Sequence, residues 1–217
     1  MSLEATHLRF SFAIKNDLGV FDLEKYVAGV IYPDSRYLSG IDRHLTHSLD
    51  YFVGRKNLTD FEKGWLTHII GDKIFGEVIE DKFADWVLFE EVGSRWPIVT
   101  AIKIIQDLED FRSFNIQGVL DYLDYYEIHF HEDERKVIGY SEVIKNMYKS
   151  KDKITVEDGL LMSERLGMNR KEIALLRKKV VELYEDEKLI EIINDNFADG
   201  MDLYQEKYKQ LIKNYAQ

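Results

Sequence analysis

Residues 60–81, DFEKGWLTHIIGDKIFGEVIED, constrain this chain more than any other stretch. Trp65, Ile69, Ile70, Ile74, Phe75 and Val78 recur at helical spacing, and Thr59 or Asp60 can cap the start. The same pattern carries His68 and Asp72, four residues apart. On a helix, positions i and i+4 share a face, about 5–6 Å apart at Cβ. An imidazole and a carboxylate in an apolar setting are costly to bury alone. The spacing therefore predicts that they grip one cation, provided further ligands reach that face.

The flanking segments supply candidates. Residues 5–17 read as a short helix ending at Gly19, with His7, Phe10, Ser11 and Ile14 on one face. Asp22 can cap a second helix, LEKYVAGVIY, that stops before Pro33. Asp34 then opens a polar loop, DSRYLSGIDRHLTHSLDYF, holding Arg36, Asp42, Arg43, His44 and His47. Loops set on a rigid scaffold are where ligands and catalytic groups concentrate. After the central helix comes a loop with Trp86, Glu90, Glu91 and Arg95, then a helix over 96–112 with Pro97 in its first turn. Asn115 can cap NIQGVLDYLDYYEI, and His129 and His131 follow in an extended-looking HFH. Beyond about residue 140 three more helical patterns appear, two with capping boxes at Thr155/Asp158 and Asn169/Glu172. The last runs from about Lys188 nearly to the end.

These patterns, with only two prolines, predict an all-α chain. Residues 1–150 read as a helical core and 151–217 as a helical extension packed on it, with a candidate boundary at KSKDK near 150; the two can equally form one domain. Absence of cysteine excludes disulfides, thiolate zinc sites and cysteine nucleophiles, so a transition metal must use His, Asp and Glu. A net charge of -11 disfavours nucleic-acid duplexes and anionic membrane surfaces as partners. No signal peptide or membrane span is read, which gives a cytoplasmic expectation.

The order of residues carries a resemblance: His7 on an early helix, Pro33-Asp34, Thr46-His47, then His68-x-x-x-Asp72. It resembles the zinc-dependent phospholipase C family, whose fold is the phospholipase C/P1 nuclease-like helical bundle, and in particular its shorter bacterial relatives. The likeness covers roughly residues 5–82. It implies that Asp34, His47, His68 and Asp72 surround one zinc ion and that His7 serves a neighbouring ion bridged by Asp72. Iron or manganese would also suit such ligands. Activity would be phosphoester hydrolysis by a metal-bound hydroxide on a small phosphoester or phospholipid, with Arg36 or Arg43 clamping the phosphate and Asp34 or Asp42 orienting the water. The family's later HxxxE pair is missing. One or two ions are thus expected, with Glu77, Asp107, His129 or His131 as the only replacements for a third.

Other readings stand beside these. His44 reads as a ligand or as a solvent-facing neighbour of His47. Asp42 with Arg43 reads as an ion pair positioning the loop. Asp107 and Asp110 read as a solvated helix edge, His129 and His131 as structural or surface residues, and Tyr122, Tyr125 and Tyr126 as packing. A phosphohydrolase of the HD type, or a non-catalytic helical adaptor with a structural metal or none, are the alternative functions. The C-terminal helices can cover the cleft or support a homodimer.

Overall fold

The computed structural model describes residues 4–84 and 95–216. Trp86, Glu90 and Glu91 lie outside the described residues. Among those described, the chain is all-helical, with no strand.

Helix α1 (Glu4–Ile14) ends in turns that close at Gly19, whose φ of +58° is the left-handed conformation glycine adopts without strain. The side chain of Asp22 accepts from the Lys25 N–H and starts α2 (Leu23–Ile31). As the sequence predicts, α2 stops before Pro33, and the proline does not end the helical path. It sits in the first turn of a 3-10 segment, Tyr32–Ser35, where its missing N–H is tolerated. The polar stretch that follows is also not an open loop. Helix α3 (Arg36–Ser39), closed by Gly40, and helix α4 (Arg43–Thr46), capped by Asp42 at the His44 N–H, order it, and a 3-10 turn covers Leu49–Phe52.

Helix α5 (Asp60–Lys82) is the axis of the molecule. Thr59 and Glu62 form a reciprocal capping box at its start. Trp65, Ile69, Ile70, Ile74, Phe75 and Val78 are all buried; each such side chain contributes about 1.5–3 kcal/mol through removal from water. Helix α2 lies directly on α5 because glycines face each other's backbones. A Cβ on Gly29 would sit 2.0 Å from the Phe61 carbonyl oxygen, and one on Gly64 2.0 Å from that of Tyr26. This close approach sets the depth of everything at the C-terminal end of α2, including Asp34.

Helix α6 (Trp96–Ser113) follows, then a long 3-10 segment, Ile116–Asp124, with Asn115 accepting from the Gly118 N–H. Helices α7 (Glu134–Tyr148), α8 (Val156–Arg165) and α9 (Arg170–Tyr184) come next, the last two opening on the Thr155/Asp158 and Asn169/Glu172 boxes. Helix α10 (Glu187–Leu203) passes through a π-helical turn at Tyr204–Tyr208 into α11 (Lys209–Ala216), so residues 187–216 form one long helical run. The turn buries Tyr204, which meets Phe10 edge-on with 5.7 Å between ring centres.

Two apolar clusters result, and each takes residues from both sides of position 150. One joins α1, α2 and α5 to Met162, Leu166, Tyr204 and Ile212; the other joins Ile79 and α6 to Leu176, Val180, Leu189 and Ile193. No described helix is long and apolar enough to cross a membrane.

Candidate metal centre

Helix α1, the C-terminal end of α2, α4 and α5 converge on one point. There His7, Asp34, His47, His68 and Asp72 come together as two overlapping groups, His7/His68/Asp72 and Asp34/His47/His68. The ligand atoms within each group lie within 4.8 Å of one another.

His68 is at the centre and has no exposure. Its Nδ1 lies 2.7 Å from the Val30 carbonyl oxygen. Val30 belongs to the last turn of α2, and Pro33, three residues on, has no N–H to offer that carbonyl. The imidazole takes the donor's place, so Nδ1 carries the hydrogen and Nε2 presents a lone pair. That Nε2 is buried with no hydrogen-bond partner. Burial, followed by the neighbouring His7, pulls the His68 pKa down to about 3, while Asp34 and Asp72 oppose the fall. The ring is therefore neutral at pH 7, the state in which imidazole ligates metals.

His47 is set up in the same way. Trp65, pinned by its Nε1–H to the Thr46 carbonyl at 2.6 Å, holds α4 against α5. The Thr46 hydroxyl meets His47 Nδ1 at 2.8 Å, which leaves Nε2 to face inward. From there His47 Nε2 is 3.4 Å from Asp34 Oδ1 and 3.6 Å from Asp72 Oδ2. His7 Nε2 is 3.5 Å from Asp72 Oδ1 and its ring stacks on His68 at 4.0 Å. Gly71 makes room for that ring, since a Cβ there would lie 3.3 Å from His7 Nδ1.

These separations are long for hydrogen bonds. They match the edge of a tetrahedron around zinc: ligand bonds of about 2.0–2.1 Å place neighbouring donor atoms about 3.3 Å apart. Burial alone would raise the carboxyl pKa values of Asp34 and Asp72. The facing imidazoles outweigh it, with His47 acting on Asp34 and His7 on Asp72, so both acids are held below the usual carboxylate range. Burial alone would likewise lower the pKa of His7, but the Asp72 carboxylate raises it.

Asp72 and His47 also line an open cleft of about 290 Å³, together with Arg43, Ile69, Lys73 and Lys103. Arg43, mostly exposed, brings an Nη to 3.5 Å from Asp72 Oδ2. Its carboxylate contact is thus with Asp72, and the expected Asp42–Arg43 pair gives way to Asp42 capping α4. Arg36 is turned away from the cleft; its Nε lies 3.7 Å from Asp34 and its guanidinium covers the Tyr37 ring. His44 is exposed and outside both ligand groups.

The remaining candidates are engaged elsewhere. His129 stacks on Phe61, with Nδ1 3.2 Å from the Tyr51 hydroxyl and Nε2 3.2 Å from Glu127. His131 sits in a left-handed turn at φ +62°. Glu77 accepts from Tyr208 and Lys207. Tyr122 and Tyr125 pack on the main apolar cluster, while Tyr126 is partly exposed.

Asp107 and Asp110 correct the sequence reading outright. They are buried, not a solvated edge, because α1 packs on that face of α6. Asp107 accepts from the Ala5 N–H at 2.7 Å and the Tyr148 hydroxyl at 2.6 Å. Asp110 accepts from Thr6, from Arg9 at 2.6 Å and from Gln106 at 3.0 Å. Lys73 and Lys103 as cleft residues were missed; Lys73 follows Asp72 directly, which is a usable signal, but nothing local marks Lys103.

The fold and site define an all-helical protein with a buried His/Asp cluster that could hold a metal ion and that opens onto a cationic cleft. Compared with family models, with curated proteins and with solved structures, the chain gave no match in any of the three.

Proposed function

We propose that the chain is a metal-dependent phosphoester hydrolase of the kind its sequence resembles, with one or two zinc ions held by His7, Asp34, His47, His68 and Asp72. The observation that carries this reading is the donor geometry. Imidazole nitrogens and carboxylate oxygens stand 3.4–3.6 Å apart around a buried, unpartnered His68 Nε2. A buried bare nitrogen is costly unless something binds it. Asp72 turns Oδ1 to His7 and Oδ2 to His47, so its carboxylate would be available to an ion held with either imidazole. His and Asp without thiolate suit zinc, with iron or manganese as neighbours in preference.

A divalent ion bound there supplies a water of lowered pKa and neutralises phosphoryl oxygens. The chain's own groups do the rest. The Val30 carbonyl fixes the ring tautomer of His68, and the Thr46 hydroxyl holds the His47 ring by its Nδ1. Arg43, on the cleft rim, is the phosphate clamp, a role Arg36 gives up by packing on Tyr37. Asp34, below His47, orients whatever occupies the inner position. A closed structural site would wrap its ligands completely; here the Asp72 side chain is 23% exposed and faces the cleft, which favours catalysis over the adaptor reading.

Elemental analysis of the purified protein and turnover of bis(p-nitrophenyl) phosphate test this. One or two zinc, iron or manganese ions per chain and hydrolysis abolished by a chelator are expected. A metal-free protein with no turnover after zinc reconstitution would leave the adaptor.

A further inference from the structure

Of the six side chains around the cleft, Arg43, Lys73 and Lys103 are cationic and only Ile69 is aliphatic. This is notable in a chain of net charge -11. Arg43 is already engaged with Asp72, whereas Lys103 and Lys73 feel the carboxylates of Asp72 and Glu77 only at longer range. Among the described residues neither lysine has an ion-pair partner within 4 Å, and no hydrogen bond holds either of them. The acids that could have served are committed: Glu77, one turn beyond Lys73, binds Tyr208 and Lys207, and Asp107, one turn beyond Lys103, binds Ala5 and Tyr148. Lys73 projects from α5 and Lys103 from α6, so the charges reach the cleft from two helices.

Ammonium groups brought to one small cleft repel, and an anion taken up there relieves that repulsion. The metal cluster and Arg43 suffice for one phosphoryl group. We infer that the cleft takes a small phosphomonoester bearing a second anionic group, such as a carboxylate, and that Lys73 and Lys103 select it. A zwitterionic phospholipid headgroup would bring a cation to a cleft that already carries three, and its acyl chains would find only Ile69 as an aliphatic contact among the described lining residues. This substrate class rests on the hydrolase reading above.

Phosphoglycolate and phosphocholine share a phosphate and differ in the sign of charge at the far end. Calorimetric titration of the zinc-loaded full chain with each, at fixed ionic strength, tests the inference. Phosphoglycolate binds at least about tenfold more tightly in the wild type, as complementary against opposed charge dictates. Lys73→Met and Lys103→Met each shrink the preference, the double variant removes it, and Lys103→Arg retains it. Thermal melting of the variants checks that they are folded. Equal affinity, a preference for phosphocholine, or a preference that survives the double variant overturns the inference. Zinc uptake and turnover without the preference sinks the substrate class and leaves the hydrolase standing. A lysine-dependent preference in protein that takes up no zinc and hydrolyses nothing supports the anionic cleft and sinks the hydrolase.

Discussion

On one side of α1, His7 stacks on His68 and faces Asp72; on the other, Ala5, Thr6 and Arg9 meet Asp107 and Asp110. Both clusters are buried, and both bring acids under the same helix. In the second, all four carboxylate oxygens of Asp107 and Asp110 accept hydrogen bonds, and Gln106 carries the network on to Asn196 at 2.6 Å. In the first, acids and imidazoles stand 3.4–3.6 Å apart, long for hydrogen bonds, and the His68 Nε2 has no hydrogen-bond partner. A satisfied network is a brace. A buried set of donors spaced apart around a common point is a socket.

The largest expected effect comes from emptying the socket. His68→Ala should abolish stoichiometric zinc binding and cut turnover of bis(p-nitrophenyl) phosphate about a thousandfold or more, the several kcal/mol a metal supplies to the transition state. Metal content and kinetics on the folded variant check it, and undiminished turnover would move the chemistry elsewhere. The brace should respond in stability instead. Asp110→Ala strands Arg9, Thr6 and Gln106 and should cost about 3 kcal/mol of unfolding free energy, with zinc content per folded chain unchanged. Urea unfolding reads the first quantity; loss of metal in step with stability would merge the two clusters into one.

A smaller effect separates them by pH. Burial pushes the Asp107 carboxyl from 3.8 up to about 7, against the hydrogen bonds from Tyr148 and Ala5. Between those values the folded chain holds a proton the unfolded chain has lost, so this group's contribution to stability falls as pH rises from 3.8 to about 7 and is constant outside that window. Asp107→Asn should remove that decline, at most about 1.4 kcal/mol per pH unit. Urea unfolding of chelator-treated protein at pH 5 and pH 7 measures it. An unchanged slope would mean that Asp107 is ionised in the fold.

Much of the fold was legible because helices announce themselves locally. The α5 stripe, the Thr59, Thr155 and Asn169 caps and the Asp22 start depend on residues within a turn or two of each other. The five grouped side chains were legible as well, since His68 and Asp72 lie at i+4 and the resemblance ordered the others. Three things were not. The run 34–52 looked like loop because it is polar, yet Trp65 and Asp42 order it into short helices. Asp107 and Asp110 looked solvated because polar periodicity cannot reveal that α1 will cover them. Lys103 carries no local mark at all; it becomes a cleft residue through the packing of α6 beside α5.

By itself, then, the sequence determined that this chain is helical and which residue types were available to hold a metal without cysteine. Tertiary structure decided which acids became ligand candidates and which became braces. The physical reason lies in what reaches each carboxylate: backbone N–H, hydroxyl and guanidinium groups from α1 and α7 come to Asp107 and Asp110, while among the described residues two imidazoles, at 3.5–3.6 Å, and the rim guanidinium of Arg43 come to Asp72.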